Sequence, residues 1–218
     1  MESYGKLELI VGNMFSGKSS ELIRRINREK SINKKILVIN FICDNRYSIN
    51  SVVTHDNLKI NCLKLEKLSD ISENIIQQYD SFFIDEGQFF QDLYDIVLKL
   101  VDTYKKHVVV SGLDGDFNRK QFGDIIKLVP MCETIDKLTA YCSICSNGTS
   151  APFTKKKNAN NCVIDKRDID KRVIDKCVID KRVIDKRVID IGGIDKYIPV
   201  CRYHYFNESW FYYYALKD

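Results

Sequence analysis

The sequence predicts an α/β fold, a parallel sheet with helices on both faces and a small second subdomain, on three observations. The apolar run from Leu7 to Val11 enters Gly12-Asn13-Met14-Phe15-Ser16-Gly17-Lys18-Ser19 and leaves it into a segment of helical periodicity. Strand-length apolar runs then alternate with helix-patterned segments up to about residue 140. Beyond that point the pattern changes, and two short pairs of ligand-type residues appear, Cys142-Ser143-Ile144-Cys145 and Cys201-Arg202-Tyr203-His204.

The first element and its loop fix the chemistry. Two glycines, a lysine and a hydroxyl residue at this spacing let successive backbone N–H groups curl around a polyphosphate, with Lys18 on the outer phosphates and Ser19 on Mg²⁺. With Gly at about 7% of average composition, the pattern arises by accident in under about one chain in a hundred. The flanking strand and helix supply the context that the motif needs, so the fold expected is P-loop NTPase-like and the ligand a nucleoside triphosphate. Glu21 to Lys30 continues as a helix, and Lys35 to Phe41 reads as a buried strand. Its exit carries Asp44 and Arg46, at the strand end where open α/β sheets bind ligands; from position alone they are either site residues or an ordinary solvated loop pair.

Leu68 to Tyr79 is amphipathic, and the apolar run after it ends in Asp85-Glu86-Gly87-Gln88-Phe89-Phe90. In phosphate-loop enzymes a carboxylate at such a strand tip holds Mg²⁺ and a second accepts a proton from the nucleophile, which assigns Asp85 to the metal and Glu86 to the general base. The plainer alternative is a pair of strand-end acids capping the next helix. Asp92 to Tyr104 reads as a helix and His107 to Ser111 as a buried strand. The following loop, Gly112 to Gly123, carries Phe117 and Phe122, which either wall in a planar base or pack beneath the loop. His55 and His107 have no ligand-like spacing and read as surface or strand-end residues.

A short strand from Lys137 to Tyr141 leads to the two ligand pairs. Each pair sets two ligands three positions apart, and four N/S ligands with no open position read as a structural zinc centre of Cys142, Cys145, Cys201 and His204, the plainer alternative being unpaired buried cysteines. Between the pairs, Val163 to Arg187 is built of five near-copies of Val-Ile-Asp-Lys-Arg. A five-residue period matches neither strand nor helix, so no packed element is encoded and a basic excursion is expected. The domain reading is therefore 1–140 for the nucleotide-binding α/β domain, 141–206 for the zinc subdomain with its insertion at 163–187, and 207–218 for an aromatic tail.

Length and charge bound the rest. The 218 residues suffice for one substantial domain. Of the net charge of +4, Lys155–Lys157 contribute +3 and nine Lys/Arg against six Asp in 163–187 another +3, which leaves the remainder at −2. The catalytic part is slightly acidic, and no nucleic-acid partner is expected. There is no long uncharged apolar run and no signal-peptide pattern at Met-Glu-Ser-Tyr-Gly, so no membrane partner and a cytoplasmic location with reduced thiols are expected.

Taken in register, the phosphate loop, Asp44-Asn45-Arg46-Tyr47, Asp85 to Phe90, Leu113-Asp114-Gly115-Asp116-Phe117, the two ligand pairs and Ile191-Gly192-Gly193-Ile194-Asp195-Lys196-Tyr197 resemble the type II thymidine kinases, the cellular and poxvirus-like class. The resemblance covers nearly all of the chain except the repeat and the tail. It implies transfer of the ATP γ-phosphate to the 5′-hydroxyl of thymidine or deoxyuridine, with Mg²⁺ and with Glu86 as base. It implies that Gly12 to Ser19, Asp44, Arg46, Asp85 and Gln88 serve the phosphates, with Arg46 and Lys18 assisting transfer. Met14, Phe89, Leu113, Phe117 and Phe122 correspond to the family's thymine pocket. A loop called the lasso, tethered by the zinc knuckles, is implied to close over the nucleoside through main-chain groups of Val188, Ile189, Asp190, Ile191 and Gly192 together with Tyr197. Homotetrameric assembly and inhibition by dTTP are likewise implied. Two departures stand out: the repeat lengthens the lasso by roughly 25 residues, whose closure cost grows only logarithmically, and Asn13 and Gln121 replace prolines usual in the family. A P-loop ATPase with a zinc knuckle acting on nucleic acid is the alternative.

Overall fold

The computed structural model describes residues 4–42, 51–53, 59–157 and 196–207, of which 51–53 and 59 are described by backbone alone. In chain order, β1 (Lys6–Gly12) is followed by α1 (Lys18–Lys30), β2 (Ile36–Phe41), β3 (Ser51–Val53), β4 (Lys59–Asn61), β5 (Leu63–Leu65), α2 (Glu73–Gln78), β6 (Ser81–Ile84), α3 (Leu93–Leu98), β7 (His107–Leu113) and β8 (Thr134–Leu138). The small elements β9 (Ala140–Tyr141), β10 (Ser150–Ala151), β11 (Phe153–Lys156), β12 (Tyr197–Val200) and α4 (Arg202–Phe206) complete it.

Six strands form one sheet in the order β5-β2-β6-β7-β1-β8, and every neighbouring pair runs parallel. Alternation along each strand divides the core in two. Leu7, Leu9, Val11, Phe82, Ile84, Val108 and Val110 face α2 and α3, packing with Leu93, Val97 and Leu128. Ile10, Val38, Phe83 and Val109 face α1, meeting Leu22, Ile23 and Ile26. Helices thus cover both faces, as the near-continuous apolar strands require. A third, smaller cluster of Ala140, Cys142, Ala151, Val200 and Cys201 lies in and beside the two antiparallel strand pairs β9–β10 and β11–β12, and Phe15 of the phosphate loop packs against it.

Several boundaries differ from the sequence reading. The segment expected as one helix from Leu68 to Tyr79 is a 3₁₀ turn at Leu68–Asp70 followed by α2, because Ile71 and Ser72 are extended. The expected helix from Asp92 to Tyr104 continues past α3 as a π-helical turn at Lys99–Thr103. The expected strand from Lys137 to Tyr141 is split: β8 pairs with β1 at the sheet edge, while β9 pairs with β10. No helix among the described residues is long and apolar enough to cross a membrane.

Candidate active site and metal centre

The phosphate loop leaves the carboxyl end of β1, with β7 on one side and β8 on the other. Gly12 must be glycine: a Cβ there would stand 2.3 Å from the Leu138 carbonyl oxygen. The loop holds Phe15 in the left-handed region, at φ 65, a conformation that costs a non-glycine residue about 1–3 kcal/mol. Burial of the Phe15 ring against the third cluster offsets this. Lys18 Nζ donates to the Asn13 carbonyl at 2.7 Å, and Ser16 Oγ donates to the same oxygen at 2.8 Å. These contacts keep the lysine ammonium against the loop that it serves.

Asn13 has a role that the motif did not reveal. Its side chain is buried; Nδ2 donates to the Phe153 carbonyl at 3.3 Å, and Oδ1 accepts from the Ala140 N–H at 3.4 Å. Next to it, the Met14 N–H donates to Thr154 Oγ1 at 3.1 Å. A proline at position 13 would offer neither side-chain bond; Asn13 ties the phosphate loop to β9 and β11.

The acids at the tip of β6 lie beside the loop. Asp85 is 3% exposed; its Oδ2 accepts from Ser19 Oγ at 3.0 Å, and its Oδ1 accepts from the Glu86 N–H at 3.0 Å. Glu86 follows in a left-handed conformation, φ 54 and ψ 38, and turns out of the strand into a 3₁₀ turn at Gly87–Phe89. Gln88, implied to serve the phosphates, is buried and holds two neighbours by its side-chain amide. Its Nε2 donates to Glu86 Oε2 at 2.5 Å and its Oε1 accepts from the Leu113 N–H at 2.9 Å, so that it bridges the ends of β6 and β7. Hard carboxylate and hydroxyl oxygens at Asp85 and Ser19 fit Mg²⁺ in donor type.

Around these acids the expected pocket aromatics fall into two groups. Phe89 stacks on Phe41 at 5.4 Å and meets Phe122 edge-on at 5.5 Å. Phe117 lies 6.0 Å from Tyr197, the buried first residue of β12. Asp44, Arg46, the repeat and Val188 to Gly192 lie outside the described residues.

The four zinc candidates converge. Cys142, Cys145, Cys201 and His204 bring one ligand atom each to within 4.8 Å of one another. His204 Nδ1 stands 3.5, 3.4 and 3.3 Å from the sulfurs of Cys142, Cys145 and Cys201, and Cys145 Sγ is 3.9 Å from Cys201 Sγ. Corners of a tetrahedron with Zn–S of about 2.3 Å and Zn–N of about 2.0 Å lie about 3.5–3.8 Å apart, so the set fits zinc. Burial works to raise the Cys142 thiol, but the backbone N–H groups of Cys145, Cys201 and Ile144, with His204, outweigh it and bring the pKa down to about 6. A thiolate is the form that binds metal.

Comparison with known proteins agrees with this geometry. A family model described as "Thymidine kinase" matches residues 5–205. The chain is 39% identical over 207 residues to "Thymidine kinase" of Amsacta moorei entomopoxvirus, covering 93% of this chain and 98% of that protein. It is 37% identical over 205 residues to "Thymidine kinase, cytosolic" of Cricetulus griseus, covering 94% of this chain and 75% of that protein. Against "Thymidine kinase" of Oryza sativa subsp. japonica the identity is 37% over 206 residues, 92% of this chain and 66% of the plant protein's length. With a phosphate loop, paired acids at the tip of β6 and a match along nearly its whole length, the chain belongs to the thymidine kinase family.

Proposed function

We propose that the chain transfers the γ-phosphate of ATP to the 5′-hydroxyl of thymidine, or of deoxyuridine, with Glu86 as general base. Family membership supports the substrate pair. The observation that carries the catalytic assignment is the consecutive pair at the tip of β6: Asp85 joined to Ser19 at 3.0 Å, and Glu86 turned away from it and held by Gln88. One carboxylate is committed to the phosphate loop and the next projects from a different backbone conformation, which divides metal binding from proton acceptance.

In this reading the loop amides of Gly12 to Ser19 and Lys18 hold the phosphates, and Ser19 and Asp85 hold Mg²⁺, which neutralises phosphate charge when bound. Glu86 accepts the proton of the 5′-hydroxyl as that oxygen attacks phosphorus in line with the departing ADP oxygen. Arg46 and Asp44 are assigned to the transferring phosphate on the family resemblance. Met14, Phe89, Leu113, Phe117, Phe122 and Tyr197 border the nucleoside, and main-chain groups of Val188 to Gly192 close over it. Zinc in the Cys₃His set is structural, since four protein ligands leave no open position. A cytoplasmic homotetramer inhibited by dTTP is proposed on the same resemblance.

The test is incubation with labelled ATP, Mg²⁺ and thymidine, where labelled dTMP is expected. ATP turnover that responds to DNA and leaves thymidine unlabelled would replace this reading with a nucleic-acid ATPase. Glu86→Gln should lower transfer by about 10²–10⁴-fold and leave ATP affinity within about twofold, because it removes the proton acceptor and no phosphate contact. Loss of ATP binding in that variant would overturn the base assignment.

A further inference from the structure

We propose that Arg119 and Tyr205 are positioning residues that latch the 114–123 loop, and with it Phe117, onto the helix that carries the zinc ligand His204. The role in catalysis rests on the kinase reading above; the latch itself rests on geometry alone.

The loop is a self-braced turn. Asp116 Oδ1 accepts from the N–H groups of Asn118 and Lys120, both at 2.8 Å, and the Arg119 N–H donates to the Asp116 carbonyl at 2.9 Å. Arg119 itself is left-handed, at φ 62. Its guanidinium faces three rings at once: Tyr205 at 4.5 Å, Phe206 at 4.7 Å and Phe153 at 5.6 Å from the centroids. A planar cation stacks on such a set in a way that an ammonium does not. The second contact is directional: Tyr205 Oη donates to the Phe117 carbonyl at 2.8 Å, across 88 positions of sequence.

Tyr205 is in turn fixed by the metal cluster. It follows His204, its N–H donates to the Cys201 carbonyl at 2.9 Å, and Lys155 Nζ donates to the carbonyls of His204 and Tyr205 at 3.1 and 3.2 Å. The phenol packs in the same small cluster that Cys142, Cys201 and Phe15 share. Order at the Cys₃His set is thereby transmitted to the backbone of Phe117, the residue whose ring lies beside Tyr197. The latch acts on the backbone of Phe117, in the acceptor wall, so it governs nucleoside binding more than the chemical step.

Three variants test this: Tyr205→Phe, which deletes one hydroxyl; Arg119→Gln, which deletes the cation; and Arg119→Lys, which keeps the charge and loses the planar stack. Amide hydrogen exchange across 114–123, bound zinc per chain, and KM for thymidine and for ATP are measured on each. Tyr205→Phe and Arg119→Gln should speed exchange in 114–123 and raise the thymidine KM by about fivefold. Exchange in β1 and α1, zinc content, kcat and the ATP KM should stay within about twofold of the unmodified protein, and Arg119→Lys should fall between the two. Unchanged loop exchange in both variants overturns the latch. So does faster exchange spread equally over the sheet, and so does a faster loop with an unchanged thymidine KM. If the unmodified protein makes no dTMP, the kinase reading falls, while the exchange measurement still decides the latch.

Discussion

Gln88 holds Glu86 by a 2.5 Å hydrogen bond from its side-chain amide, and the other end of that amide accepts from the Leu113 N–H at 2.9 Å. Because Gln88 is 3% exposed and Gly112 leaves it room, where a Cβ would come within 2.4 Å of its Oε1, the bridge is a built feature of the strand ends. Replacing it by an apolar side chain of similar length leaves the Leu113 N–H without this partner and removes one of the bonds that orient the Glu86 carboxylate. Gln88→Leu should therefore lower kcat by about ten- to a hundredfold, the scale of a misplaced catalytic group, with the ATP dissociation constant changed less than about threefold. Single-turnover kinetics with thymidine, set against equilibrium ATP binding, measure both.

Asp85 gives a complementary prediction. Asp85→Asn keeps the size of the side chain and an oxygen for the Ser19 hydroxyl, yet removes the charge that a hard divalent cation needs. The Mg²⁺ concentration for half-maximal rate should rise by about tenfold, a loss of about 1.4 kcal/mol in metal affinity, while the thymidine KM stays unchanged. A magnesium titration at saturating ATP and thymidine reads this, and an unaltered titration would move the metal role away from Asp85.

The parts of this site that were legible in the sequence are those whose chemistry is local. Gly12 to Ser19 lies between an apolar strand and a helical pattern, and Asp85 and Glu86 are adjacent at the end of one run, so spacing alone placed them. The two ligand pairs were legible for the same reason, each being a single turn. What escaped was set by contacts far apart in the chain. Asn13 bonds Phe153, 140 positions away, and no pattern around Asn13 marks it. His107 read as a strand-end residue, and it is the first residue of β7, but it lies between Glu29 of α1 and Glu8 of β1. The Tyr205–Phe117 hydrogen bond was invisible because either residue alone is an ordinary aromatic. The helix expected from Leu68 was misjudged at Ile71–Ser72, where extended backbone overrides periodicity, whereas the one from Asp92 keeps its extent and only changes to a π turn after Leu98.

The Cys₃His cluster predicts a specific tolerance. His204→Cys gives an all-sulfur set of the Cys₄ type and should keep about one zinc per chain, whereas Cys145→Ser leaves three strong ligands and should lower zinc occupancy by at least about tenfold. Loss of the metal removes folding free energy held by the knuckle, so the serine variant should also unfold at lower temperature. Metal analysis by mass spectrometry together with thermal melts distinguishes the two variants. Full zinc content in both would show that the zinc is held elsewhere than in this cluster.

Acid sensitivity is written into the face of the sheet that α1 covers. Glu8 is held far below its ordinary value of 4.5, first by His107, whose Nε2 stands 3.4 Å from its Oε1, against the opposing effect of burial, and further by Lys6. Arg25 Nη1 adds an ion pair to Glu8 at 2.6 Å. On α1 itself, Glu21 is brought down to about 2, chiefly by its hydrogen bond from Arg24, with burial opposing and Arg25 assisting. A carboxylate whose pKa is depressed by folding stabilises the folded state fully above its unfolded value, and that stabilisation is lost as pH falls through the depressed folded-state value. The window therefore opens near pH 4.5 and extends downward to about 2 for Glu21 and further for Glu8. Glu8→Gln cannot titrate, so its unfolding free energy, lower than that of the unmodified protein at pH 7, should fall less steeply between pH 5 and 3, at about those limits of the linkage. Denaturant melts at a series of pH values measure the slope, and parallel slopes for the two proteins would show that Glu8 is not a source of the acid loss.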